Sequence, residues 1–76
     1  MALHPTTAET IEVVANGRVR AVPAGSMVRE FLIELNLDPD VVVVERNGEI
    51  LSRDRFADVR LETGDTLEVV HIVGGG

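Results

Sequence analysis

The most reactive group this chain offers is not a side chain. The sequence closes on Val73-Gly74-Gly75-Gly76, directly after the strand-like run Leu67-Glu68-Val69-Val70-His71-Ile72. Glycine gives up the most conformational freedom on ordering and brings no side chain to pack, so three in succession do not serve a core. A strip without Cβ atoms can pass where alanine would collide. Extended, it reaches about 10 Å at roughly 3.3–3.6 Å per residue, enough to enter a narrow site on a partner. Its outermost group is the carboxylate of Gly76. The competing reading is a frayed end of the kind common at chain termini. The direct exit from a strong strand and the bare terminal carboxylate favour a functional tail.

Little else in the inventory can do chemistry. Cysteine is absent, which removes disulfides, thiolate metal sites and a thiol able to bear a persulfide. His4 and His71 are the only histidines; with no neighbouring ligand pattern they do not make a zinc site, and His71 reads as an ordinary strand residue. Ser26 has no base beside it and is expected to cap a helix rather than act as a nucleophile. Asp38, Asp40, Glu45 and Glu49 lack the spacing of a metal loop and read as solvated surface. The expectation is a protein that is not itself an enzyme and holds no cofactor and no metal.

Size and charge narrow the class further. With 76 residues the chain is one small domain, and a domain of this size hides only about 60% of its unfolded surface, leaving little room for an internal catalytic pocket. A composition 45% hydrophobic and 26% charged is that of a globular protein, not a disordered one. A net charge of -6 repels phosphate backbones and argues against nucleic acid, while it suits a basic docking patch on another protein. No apolar run approaches the ~20 residues of a membrane span, and no signal-peptide pattern opens the chain. A soluble, cytoplasmic protein is expected, monomeric when free. All seven basic residues are arginine, so no side chain offers an amine for linking the C-terminus of one copy to another; compositional bias is the simpler explanation.

The elements that must position the tail follow from pattern. Met1 to Thr10 has no periodicity and reads as a flexible leader (residues 1–10). Ile11 to Ala15 is a strand with Ile11 and Val13 on one face, and Asn16-Gly17 is a strong hairpin signal, because both central positions of a type I′ turn need positive φ. Arg18 to Val22 returns, and Pro23 ends the pairing for want of an N–H. A helix is predicted from Met27 to Leu35, its apolar stripe being Val28, Phe31, Leu32 and Leu35. Asn36 is its left-handed cap, Pro39 blocks its resumption, and Leu37 folds back onto the core. Val41 to Val44 reads as a central strand buried for part of its length on both sides. Asn47-Gly48 turns into Glu49-Ile50-Leu51, Phe56 plugs the core from the irregular segment 52–59, and Thr63-Gly64-Asp65 turns into the last strand. There Leu67, Val69 and His71 share one face, and Glu68, Val70 and Ile72 the other. A hairpin, one helix and two or three further strands, with the first and last strands as central neighbours, define an α+β chain of β-grasp, ubiquitin-like arrangement over residues 11–73, with 74–76 as tail.

From about Ile11 to Gly76 the residues resemble the ThiS family, the sulfur carriers of thiamine biosynthesis. The likeness rests on Thr63-Gly64-Asp65 before the terminal strand, on the terminal glycines, and on Val43-Val44-Glu45-Arg46-Asn47-Gly48-Glu49-Ile50. The resemblance implies that the carboxylate of Gly76 is adenylated by an E1-like adenylyltransferase of the ThiF type. It is then converted to a thiocarboxylate, which gives up its sulfur to thiazole synthase (ThiG type). A carboxylate is a poor electrophile, so sulfur can be attached only after ATP has made it a mixed anhydride. In a chain without cysteine no other place for the sulfur is evident. The same resemblance implies that Gly74 and Gly75 thread the partners' active sites.

Leu67 and Val69 are expected to face the helix, leaving Val70 and Ile72, with Val73, as the partner-docking residues on the open face of the sheet. Val42 or Val44 would widen that patch, according to register. The rival within the fold is the small subunit of molybdopterin synthase, which shares terminus and activation chemistry. A protein-conjugating modifier, and a β-grasp interaction module without covalent chemistry, are the others; the last predicts indifference to loss of the final glycines.

Overall fold

The computed structural model describes residues 9–72. Five strands, one α-helix and two 3-10 turns follow in the order β1 (Thr10–Ala15), β2 (Arg18–Pro23), α1 (Val28–Glu34), a turn at Pro39–Val41, β3 (Val42–Arg46), β4 (Glu49–Leu51), a turn at Arg53–Arg55, and β5 (Thr66–His71). The strands form one mixed sheet in the order β2-β1-β5-β3-β4. β5 is therefore central, parallel to β1 and antiparallel to β3. The first strand begins at Thr10, one residue before the expected Ile11; of the leader, residues 1–8 lie outside the described residues, as do Val73, Gly74, Gly75 and Gly76.

Both Asn-Gly turns form as their sequence requires. Asn16 and Gly17 have φ of 50° and 81°, and Asn47 and Gly48 have 52° and 90°, the left-handed pairs of a two-residue hairpin. Asn36, at φ 62°, follows the helix as expected. The helix start differs from the expectation. Ser26 is not the cap: its Oγ donates to the Pro23 carbonyl at 2.6 Å. Met27 stands at the helix entrance, and its N–H donates to Glu30 Oε1 at 2.9 Å, the carboxylate half of a capping box. The reason lies in the approach of the chain. Met27 bridges to Arg60, and the Ser26 carbonyl accepts from Leu61 N–H at 2.9 Å, so the 26–27 segment is held extended against residues 60–61.

One helix covers one face of the sheet, and the core lies between them. Val28, Phe31 and Leu32 from the helix meet Val13, Ala15, Val22, Val42, Val44 and Leu67 from the strands, closed at the end by Phe56 and Leu61. Leu35, Leu37 and Val69 pack partly buried against this cluster. Burying each of the large side chains contributes about 1.5–3 kcal/mol. The Val41–Val44 run is not buried on both faces as its composition suggests. Val41 belongs to the 3-10 turn and is exposed, Val42 and Val44 are buried, and Val43 is half-buried on the other side. A single helical layer cannot cover both faces of a strand, so alternation returns inside an all-valine sequence.

Candidate functional site

β5 is the element that carries the chain toward its glycines, and its two faces have different fates. Leu67 is fully buried and Val69 half-buried toward the helix, whereas Val70 and Ile72 are 60% and 45% exposed on the far face. The register settles which neighbour widens this patch. Val43 stands directly opposite Val70, while Val42 and Val44 stand opposite His71 and Val69 and point into the core. The expectation of Val42 or Val44 is therefore corrected to Val43. Across the same face Val14 pairs with Val19 and Ile50 with Glu45. Val19 and Ile50 are 65% and 66% exposed. An apolar strip of this kind, which no described element covers, is the type of surface that marks an interaction site. Its charged members are acidic: Glu45 and Glu68 oppose each other across β3 and β5, a like-charge pair that costs stability when directly opposite.

The start of β5 is locked by a buried carboxylate, Asp65, which is 5% exposed. Its Oδ2 accepts from the Glu62 N–H at 2.8 Å and from Arg46 Nε at 3.0 Å, with Arg46 Nη2 at 2.9 Å. Its Oδ1 accepts from Asn47 Nδ2 at 3.0 Å. Burial alone would raise the Asp65 pKa. The hydrogen bonds from Glu62, Asn47 and Arg46, with the positive charge of Arg46, outweigh it and hold the carboxyl below its ordinary value. Asn47 also binds the strand directly, its N–H donating to the Thr66 carbonyl and its Oδ1 accepting from the Thr66 N–H, both at 2.8 Å.

A second asparagine grips β5 further along. β1 pairs with β5 only as far as Ala15 opposite Leu67 and then turns away. Asn16 continues the ladder with its side chain: Oδ1 accepts from the Val69 N–H at 2.8 Å, and Nδ2 donates to the Val69 carbonyl at 3.1 Å. A primary amide offers one donor and one acceptor in the geometry of a peptide group, so it can stand in for a strand residue. On the opposite edge the Ile72 N–H donates to the Val41 carbonyl at 2.8 Å. The strand is thus held on both sides to within a few residues of the glycines. Neither asparagine nor Asp65 figured in the sequence reading as a support of β5. The Asn-Gly and Gly-Asp signals were visible, but which distant strand their side chains reach depends on topology.

Of the sequence-predicted site residues, Val70 and Ile72 stand exposed together on the open face, and Val73, Gly74, Gly75 and Gly76 lie outside the described residues. His71 is exposed at the end of β5. Glu49 is exposed on β4; Asp38 accepts the Asp40 N–H at 2.9 Å at the entrance to the 3-10 turn. No described helix is long and apolar enough to cross a membrane.

Residues 7–76 match the model of the ThiS family. The sulfur carrier protein ThiS of Bacillus subtilis is 41% identical over 49 residues, which cover 64% of this chain and 74% of that protein. A thiazole synthase of Paramagnetospirillum magneticum is 41% identical over 66 residues; the matched region takes in 87% of this chain, which spans only 20% of that protein's length. Among solved structures, the crystal structure of a thiamine biosynthesis protein (ThiS) from Geobacter metallireducens superimposes with a TM-score of 0.75 at 32% identity, covering 87% of this chain and all of that one.

Proposed function

The chain belongs to the ThiS family, and on that premise we propose that it is a sulfur carrier of thiamine biosynthesis, loaded at the carboxylate of Gly76. A carboxylate oxygen of Gly76 attacks the α-phosphorus of ATP and pyrophosphate leaves, giving an acyl adenylate. A sulfur nucleophile adds to the acyl carbon, AMP departs, and the thiocarboxylate remains. The carrier supplies the electrophile and the activating enzyme supplies the catalysis, so no catalytic residue is assigned within this chain. The activating enzyme is an adenylyltransferase of the ThiF type, and the sulfur acceptor is a thiazole synthase. The second assignment draws on the relative named thiazole synthase, which contains a region similar to nearly the whole of this chain.

The observation that carries this reading is the pairing of a firmly anchored central strand with an uncovered apolar face at its end. Val70, Ile72 and Val43 form the docking surface, joined by Val73, and Gly74 and Gly75 thread the active site of whichever enzyme is bound. The acidic groups around the patch steer a basic partner and make association salt-dependent. The test is direct: incubate the carrier with its activating enzyme, ATP and a sulfur donor, and measure intact and peptide masses. An exchange of oxygen for sulfur at the C-terminal peptide is expected. No mass gain, or one on an internal residue, refutes the carrier assignment.

A further inference from the structure

We propose that Asn16 is a positioning residue for the terminal carboxylate, acting through β5; the inference rests on the carrier reading above. Asn16 lies in the tip of the first hairpin, 53 residues from Val69 in sequence, yet it binds both the N–H and the carbonyl of Val69. Among the described residues it is the last grip on that edge of the strand. The antiparallel ladder with β3 alternates, and because the Ile72 N–H bonds to Val41, the even-numbered residues of β5 point their backbone groups toward β3. Odd-numbered residues point to the β1 side: Asp65 and Leu67 carbonyls accept from Val14 and Asn16 N–H groups, and Val69 meets the Asn16 side chain. His71 points the same way, and there β1 has already turned off, so its N–H and carbonyl have no partner among the described residues. Two residues beyond Val69, then, the strand is held from one side only.

Removal of the Asn16 side chain moves that one-sided stretch back from His71 to Val69, and the exposed face formed by Val70 and Ile72 moves with it. A partner that binds this face and draws in the glycines needs the strand end ordered. If ordering must be supplied during docking, the competent fraction of free carrier falls and apparent affinity falls in proportion. Once the carrier is docked, the partner itself holds the strand, and the chemical step is unaffected. The expected signature is a raised KM for the carrier at nearly constant kcat.

Asn16→Gly is the cleanest variant, because glycine accepts the positive φ of the turn while deleting only the amide. ATP–pyrophosphate exchange by the activating enzyme, with the full-length carrier as varied substrate, gives both constants at a temperature where the two proteins are fully folded. Amide hydrogen exchange at Val69, Val70 and Ile72 is followed in parallel. We expect KM to rise on the order of tenfold, the scale of losing one or two strand hydrogen bonds, with kcat within about twofold and faster exchange at Val69. If Asn16→Gly does not fold, Asn16→Asp, which keeps the acceptor for the Val69 N–H and loses the donor, is judged by the same two readouts. Unchanged KM alongside accelerated Val69 exchange would overturn the proposal, as would a fall confined to kcat. A wild-type carrier that supports no exchange at all is a separate outcome, since it refutes the carrier reading itself.

Discussion

Val70→Arg tests the docking face most sharply, because its costs to folding and to association are expected to differ widely. Val70 is already 60% exposed, so folding buries less than half of a valine, and losing that burial costs about 1 kcal/mol. Its one direct neighbour across the ladder is Val43, and a cross-strand pair of this kind is worth roughly 0.2–1 kcal/mol. An arginine stem can lie along the same apolar strip with its guanidinium in water, near the acidic Glu45 and Glu68, which recovers part of both terms. The domain should therefore fold, with a loss of no more than about 1–2 kcal/mol. Association is different. At the centre of a docked face the guanidinium would be desolvated and an apolar anchor lost, on the order of 2–4 kcal/mol, or roughly 30- to 1,000-fold in Kd. Chemical denaturation of both proteins and calorimetric titration against the activating enzyme give the two numbers. A variant that melts the domain by more than about 3 kcal/mol, while its folded fraction binds normally, would place Val70 in the core and the docking face elsewhere.

Two further predictions probe the ends of β5. Gly75→Ala should leave the melting temperature unchanged, since the buried core of the described residues runs from Val13 to Leu67, but it should severely slow ATP–pyrophosphate exchange, because the added methyl collides in a channel shaped for bare backbone; normal exchange would rule out such a channel. Asp65→Asn should destabilise the domain by about 3 kcal/mol, because an amide group must then face donors from Arg46, Asn47 and Glu62. The pH dependence has a fixed sign. The folded Asp65 carboxyl lies below its ordinary value, so its stabilisation is fully present above the unfolded pKa, about 4, and is lost as pH falls through the lower folded value. Stability measured from pH 7 into the acid range should fall more steeply for the wild type than for Asp65→Asn, and parallel curves would refute the role given to this carboxylate.

Most of the scaffold could be read from pattern, because its elements are specified locally. Two Asn-Gly turns, the 28–31–32–35 stripe and the alternation after Gly64-Asp65 each fix one element with little help from the rest. The failures occurred where tertiary contact overrode a local signal. Ser26 is a good capping residue by type, yet the chain is drawn against Arg60 and Leu61, and the cap passes to the Met27–Glu30 pair. Four consecutive valines look buried on both faces, yet the described residues supply one layer of helix to bury them. Leu61 gave no periodic signal at all, because it sits between turns; its burial comes from closing the end of the core rather than from membership of an element.

The site was legible in its members but not in its mechanics. Exposure of Val70 and Ile72 follows from strand alternation once Leu67 is assigned inward, and the sequence supports that step. Register does not follow from alternation, since a valine run pairs equally well one residue to either side; only the Val43–Val70 pairing decides that Val43 belongs to the patch. The supports of β5 were further from view, because each joins residues far apart in sequence. Asp65 gathers Arg46 and Asn47 from the second hairpin, and Asn16 reaches Val69 from the first. These contacts give a small domain with an acidic surface a use for a partly buried ion pair and two asparagine side chains bonded to backbone. In the proposed role the chain would present its terminal strip to an activating enzyme and a sulfur acceptor in turn, and ordering the strand that leads to it afresh at each encounter would cost affinity twice. Fixing the strand from both hairpins, as far as Val69 on one edge and Ile72 on the other, removes that part of the ordering cost before any encounter.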